Sequence, residues 1–146
     1  MAGTNSFNIG RDGAQLTVFD SGQGAIQFNG ITKFESKPGI VKLKRVTVDG
    51  DLRHRAIYDG HSGTFEIDRE DASYDTYFAN AEASYFAGLA PSTVVITQTV
   101  NELDGSVTQW QYTNVALYPE DGGTWEGQQK VTQKFSFDAG RKIQIA

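Results

Sequence analysis

The sequence predicts a mainly β fold, an antiparallel barrel or sandwich of about eight strands with one flanking α-helix and a projecting hairpin. Three observations support it. Stretches such as 63–70 (GTFEIDRE) alternate apolar and polar side chains, and 93–100 (TVVITQTV) is rich in β-branched residues; both are strand signatures. Asn29-Gly30, Asp49-Gly50 and Asp104-Gly105 punctuate such runs with turn chemistry. Only 73–88 (SYDTYFANAEASYFAG) has a helical period, with Tyr74, Phe78, Ala81 and Tyr85 on one stripe and Tyr77 beside it. Asp71 or Ser73 can cap its start, Asp75 suits the positive end of the helix dipole, and Gly88 followed by Pro91 ends it. The aromatic stripe predicts core packing against a sheet, with a subunit contact as the alternative.

Taken in order, the opening residues 1–12 are small and polar, and only Phe7 and Ile9 alternate. They read either as a frayed terminus or as an arm that docks on a neighbouring copy. A short strand follows at 15–19, then one from 25 that forms a hairpin with 31–35 across Asn29-Gly30. Lys37-Pro38-Gly39 predicts a turn. In 40–48 (IVKLKRVTV) the face shared by Val41 and Leu43 passes to Val46 and Val48, which predicts a bulge near Lys44-Arg45. After Asp49-Gly50-Asp51 the chain returns through 52–58, with Arg53, His54 and Arg55 near the tip. This hairpin at 40–58 is charged and poor in core residues, so it projects. In 63–70, Phe65 and Ile67 face inward against Glu66, Asp68 and Glu70. Strands follow at 93–100, 106–118 and 128–137, separated by the turn at Asp104-Gly105 and a loop at 119–127. A tail at 141–146 ends the chain, with Ile143 and Ile145 alternating.

Composition excludes several function classes. A chain of 146 residues with 38% hydrophobic content supports one domain, 1–146, with a core of its own. With 0 cysteines there is neither a disulfide framework nor a thiolate metal site. No basic-then-apolar leader and no apolar run near 20 residues predicts neither a secretory signal nor membrane insertion. A net charge of -5 argues against gripping nucleic acid, which needs clustered Lys and Arg. His54 and His61 lack partners at metal-ligand spacing, and no nucleophile, zinc or phosphate-loop motif is present, so no cofactor is expected. Glu66 and Asp68 lie two apart on one strand face, which is compatible with glycosidase carboxylates, yet nothing marks a cleft around them. Trp110, Tyr112 and Trp125 could instead form the stacking platform of a carbohydrate-binding module, or pack in the core. Glu66, Asp68 and Glu70 together read as a wet outer face or as the wall of an aqueous channel whose cargo is polyanionic.

A family resemblance adds to this. The order strand, helix ending in Tyr85-Phe86-Ala87-Gly88, strand, Asp104-Gly105-Ser106, then Gln109-Trp110-Gln111-Tyr112-Thr113-Asn114-Val115 resembles the tail tube protein of contractile-tailed bacteriophages. The run from Val131 to Arg141 (VTQKFSFDAGR) is similar to that family's last strand, and the likeness covers about 39–141. It implies a non-enzymatic virion protein, assembled in the host cytoplasm, whose hexameric rings stack into the inner tube of a tail. Implied partners are further copies of itself, a sheath protein, a tape-measure protein, and baseplate and tail-terminator proteins. DNA would pass through the lumen without specific binding. Related tubes occur in pyocins and type VI secretion machines. Within that picture Glu66, Asp68 and Glu70 would line the lumen. Phe7, Ile9, Val46, Val48, Arg53, Arg55, Ile143 and Ile145 would make contacts between subunits or rings.

Overall fold

The computed structural model describes residues 6–146. Residues 1–5 of the expected N-terminal arm lie outside the described residues. After a 3-10 turn (Gly10–Gly13) come β1 (Gln15–Asp20), β2 (Gly24–Ile26), β3 (Ile31–Val46), β4 (Leu52–Asp68), α1 (Ser73–Phe86), β5 (Val94–Asn101), β6 (Val107–Asp121), β7 (Thr132–Ala139) and β8 (Arg141–Gln144). The strands hydrogen-bond in the order β2-β1-β5-β6-β7-β4-β3, and β8 pairs with β6. The first and last members of that path do not pair with each other, so this is an open sandwich rather than a closed barrel.

β6 joins the two halves. Its first part pairs with β5 and β8, and its second part, from Ala116, pairs with β7. Between them Asn114 takes a left-handed φ of 53°, and the register against β5 slips. Asn tolerates that conformation better than most residues. The slip turns Val115 inward in the wake of Tyr112, so β6 contributes core residues to both halves.

The expected strands exist, with some boundaries redrawn. The segments at 31–35 and 40–48 are one strand, β3, and 52–58 runs unbroken into 63–68 as β4. Pro38 therefore sits inside a strand rather than in a turn. It can, because β3 has a ladder partner on one side only, and an edge position tolerates a missing N–H. The bulge lies between Pro38 and Ile40, opposite Gly60 with its φ of 79°, and not near Lys44-Arg45, where pairing is regular. Past Ile40 the ribbon is largely exposed on both faces, so nothing enforces a strict alternation there. β2 does not form a hairpin with β3 across Asn29-Gly30 but pairs with β1. Gly30 does take a positive φ of 77°, and the Asp68 carbonyl is pressed against the place a side chain would fill, so both the conformation and the space call for glycine.

Phe65, Phe135, Phe137, Tyr112 and Ile96 are fully buried between the halves, each stabilising by roughly 1.5–3 kcal/mol relative to exposure. The Phe65 and Phe135 rings stack at 4.5 Å between centroids. α1 closes one side of this core: Tyr74 and Tyr77 are buried, and Phe78 packs on Phe135 at 5.6 Å. The expected stripe stops there. Tyr85 is 75% exposed, because only the first two turns of the helix lie on the sheet. Asp71 accepts the Ser73 N–H, and Gly88 ends the helix at φ 77° as expected.

Tyr77 owes its place to Asp20, a buried carboxylate at the inward-facing end of β1 that donates nothing and accepts the Tyr77 hydroxyl at 2.8 Å and the Gly22 N–H at 2.8 Å. Burial pushes the Asp20 carboxyl up, but the hydrogen bonds from Ser92, Tyr77 and the backbone of Gly22 and Gln23 outweigh it and hold it below the ordinary value. A carboxyl depressed in the folded state contributes stability above its unfolded pKa and loses it as pH falls through the folded value. Acid unfolding should therefore begin below about pH 4, and Asp20→Asn should flatten the acid limb of a melting-temperature-against-pH curve. An unchanged limb would remove Asp20 from this role.

Candidate assembly surfaces

Among the described residues, four parts of the surface bear on assembly. The first is the outer edge of β3, a run of 16 residues paired on one side only. At about 3.3 Å per residue it offers some 50 Å of free backbone donors and acceptors. β2 presents a second, short edge at the other end of the strand order.

The second surface is the distal β3–β4 ribbon. Ile40 pairs with Tyr58 and Val46 with Leu52, and the turn closes with Thr47 N–H on the Asp51 carbonyl at 2.9 Å. Val46 is 59% exposed and Val48 fully so, with Arg53 and Arg55 exposed beside them. The hairpin expected at 40–58 is thus the outer part of a longer two-stranded arm rooted in the core at Phe34 and Phe65.

The outer face of β4 is the third. Phe65 and Ile67 point into the core, so Glu66 and Asp68 point out, as expected. They do not make a purely acidic wall. Glu66 stands between Lys33 and Lys134 in the ladder, and Asp68 meets the Lys130 ammonium at 3.3 Å. Lys33, Lys37 and Glu35 continue the mixed row; the Lys37 hydrogen bond and charge hold the Glu35 carboxyl below its ordinary value. Exposed pairs of this kind stabilise little. Their consequence is a face of alternating charge. Glu70 is off that row, because β4 ends at Asp68 and Glu70 lies in the connection to α1.

The fourth comprises the termini. Phe7 and Ile9 are exposed ahead of the 3-10 turn, where the Ile9 N–H donates to Asp12. The tail at 141–146 is not free. Its β8 pairs residue by residue with β6, half-burying Ile143, and Ile145 hydrogen-bonds to Gln109 while its side chain stays exposed.

The carbohydrate platform is not assembled. Tyr112 is fully buried, with its hydroxyl on Ser36, Trp110 is covered by the Lys142 ammonium at 4.5 Å, and Trp125 lies on the β6–β7 loop over Arg69. Burial, then the charge of Lys142, lowers the pKa of His61, while His54 lies exposed on the ribbon. Among the described residues no group of three or more His, Cys, Asp or Glu is placed to hold a metal, and no helix is long and apolar enough to cross a membrane. Sequence reasoning missed Asp20, whose inward position follows the parity of Leu16 and Val18.

No family model and no curated protein matches this chain. Solved structures do. A chain of the sheath-tube complex of PVC, an extracellular contractile injection system, superposes with a TM-score of 0.59 at 12% identity, covering 90% of this chain and 88% of that one. A chain from the PVC sheath/tube terminator gives 0.60 at 12% identity over 97% and 99% of the two chains. A chain in the C6-symmetric tail of an empty GTA particle gives 0.56 at 14% identity over 96% and 100%. The fold is therefore shared with chains of the PVC contractile injection system and of the GTA particle's tail, in keeping with the fold that the resemblance in the sequence implied.

Proposed function

We propose that this protein is a non-catalytic, single-domain building block whose copies close into hexameric rings, and that the rings stack into the inner tube of a contractile tail. The open sheet supports this most directly: a strand edge of 16 residues stays unpaired in a fold shared with a C6-symmetric tail. Long exposed edges invite pairing with other chains. A head-to-tail contact with the right rotation closes into a ring and leaves no edge free. The outer face of β4 then lines the bore, with Glu66 and Asp68 held among lysines and Glu70 at its rim. Such a wall neither concentrates phosphates nor carries a large charge of one sign, which suits a duct through which DNA or another polyanion passes. Phe7, Ile9, Ile145 and the ribbon residues Val46, Val48, Arg53 and Arg55 supply contacts between subunits and rings. A sheath would surround the tube, a tape-measure protein would fill it before ejection, and baseplate and terminator proteins would meet its ends.

Sizing and negative-stain microscopy of the purified chain test this reading. Hexamers or hollow filaments are expected, and a monomer at every concentration would overturn it. Deleting 49–54, the tip of the ribbon, should leave the melting temperature within a few degrees, since the tip touches no core residue. The same deletion should shorten or abolish filaments; filaments of normal length would show that the tip has no part in stacking.

A further inference from the structure

The ribbon and the opposite end of the molecule are oppositely charged. Residues 40–59 contain five cations (Lys42, Lys44, Arg45, Arg53, Arg55) and three carboxylates, net +2, which leaves -7 on the rest of a chain of net -5. Arg45 stands directly opposite Arg53 in the ladder, and like charges so placed destabilise a strand pair. Among the described residues only Arg53 of these five has an ion-pair partner, Asp51 at 3.0 Å. Val41, Leu43 and Ile57 are exposed between the cations. A two-stranded arm with no core beneath it is marginal in water and gains most from being covered.

The other end of β4 lies about 50 Å from the tip at strand rise. There Asp68 and Asp75 are paired with Lys130 at 3.3 Å and Arg69 at 3.1 Å. Glu70 and Glu126, in the connections around that end, have no ion-pair partner among the described residues, whereas Asp71 there feels the charge of Arg69 and Asp121, the last residue of β6, faces Lys134 in the ladder. Burial, and then the charges of Asp121, Asp75 and Glu120, raise the pKa of the Tyr74 phenol, a second sign of negative potential at this end.

We propose that the basic ribbon tip of one copy docks head to tail on the acidic end of a second copy, around Glu70 and Glu126, so that the charge polarity of the chain sets the direction of stacking. This rests on the stacked-ring reading above and names the surface that receives the ribbon. Head-to-head stacking would place Arg45, Arg53 and Arg55 on their own copies. Head-to-tail contact pairs the ribbon with the unneutralised carboxylates and repeats without closing, which makes a filament. Screening over about 8 Å at physiological salt confines the effect to surfaces in contact.

Two charge-reversed chains test it, Arg53→Glu with Arg55→Glu, and Glu70→Lys with Glu126→Lys, each checked for wild-type melting. All four side chains are exposed. Each variant alone should need roughly tenfold or more protein than the wild type to form filaments, a loss of about one decade in affinity. An equimolar mixture should form filaments at the wild-type concentration, because each reversed end now meets its complement. Misfolding of either variant cannot produce that rescue. Filaments from either variant alone at the wild-type concentration, or no rescue on mixing, would overturn the proposal while leaving the tube reading intact. A wild-type chain that forms neither rings nor filaments would overturn both.

Discussion

Phe135→Ala is expected to lower the melting temperature by roughly 10 °C and to release α1 from the sheet. Phe135 is fully buried where the sheet and the helix meet. Its ring lies 4.5 Å from Phe65, 5.0 Å from Phe28, 5.9 Å from Tyr74 and 5.6 Å from Phe78. Removing a buried Phe side chain costs about 3–5 kcal/mol, in lost transfer energy and in the cavity left behind. For a chain of this size each kcal/mol moves the midpoint by roughly 2–4 °C. Thermal melts followed by circular dichroism read this directly. Tyr85→Ala is the internal control, since this aromatic residue, on the helix that Phe135 anchors from β7, is 75% exposed and its loss should move the midpoint by little. A Phe135→Ala midpoint as little changed as that of Tyr85→Ala would show that the helix does not depend on this cluster.

The contrast between Phe78 and Tyr85 also shows how far the sequence could be read. The helical period located α1 to within two residues of its observed end, because stripe, cap and terminating glycine agree. Period alone could not say how much of the stripe has a sheet beneath it, which depends on where β6 and β7 end. The half-buried strands were legible for the same kind of reason: 63–70 alternates because Phe65 and Ile67 meet the core while Glu66 and Asp68 meet water. The ribbon beyond Ile40 was legible as a charged, core-poor arm. Its continuity with the body was not, because Pro38-Gly39 looks like a turn in one dimension and becomes an edge-strand bulge once β4 is alongside. The acidic row at Glu66 and Asp68 was found in the sequence, but its lysine neighbours come from β3 and from the region of β7, far away along the chain. Cross-strand partners are set by register, and a single strand does not encode it.

Gly63→Ala is expected to be as damaging as the loss of Phe135, for the opposite reason. Gly63 sits in β4 between β3 and β7, opposite Ser36 and Phe137. A Cβ there would press on the Glu35 carbonyl of β3 and lie 2.7 Å from the Phe137 ring. Neither neighbour can yield cheaply. The carbonyl belongs to the ladder, and Phe137 is itself 1% exposed and packed against Phe34, Phe65 and Tyr112. Overpacking a filled core costs about 1–3 kcal/mol, and more where backbone must move, so the substitution should sit at or above the top of that range. Its effect should also reach assembly, because β4 is both the root of the ribbon and the strand whose outer face carries Glu66. Gly122, with open space where its Cβ would fall, is the matched control, and Gly122→Ala should melt like the wild type. If Gly63→Ala melts within a few degrees of Gly122→Ala and still forms filaments, β4 does not run between β3 and β7 in this register, and the face assigned to the bore would have to be assigned anew.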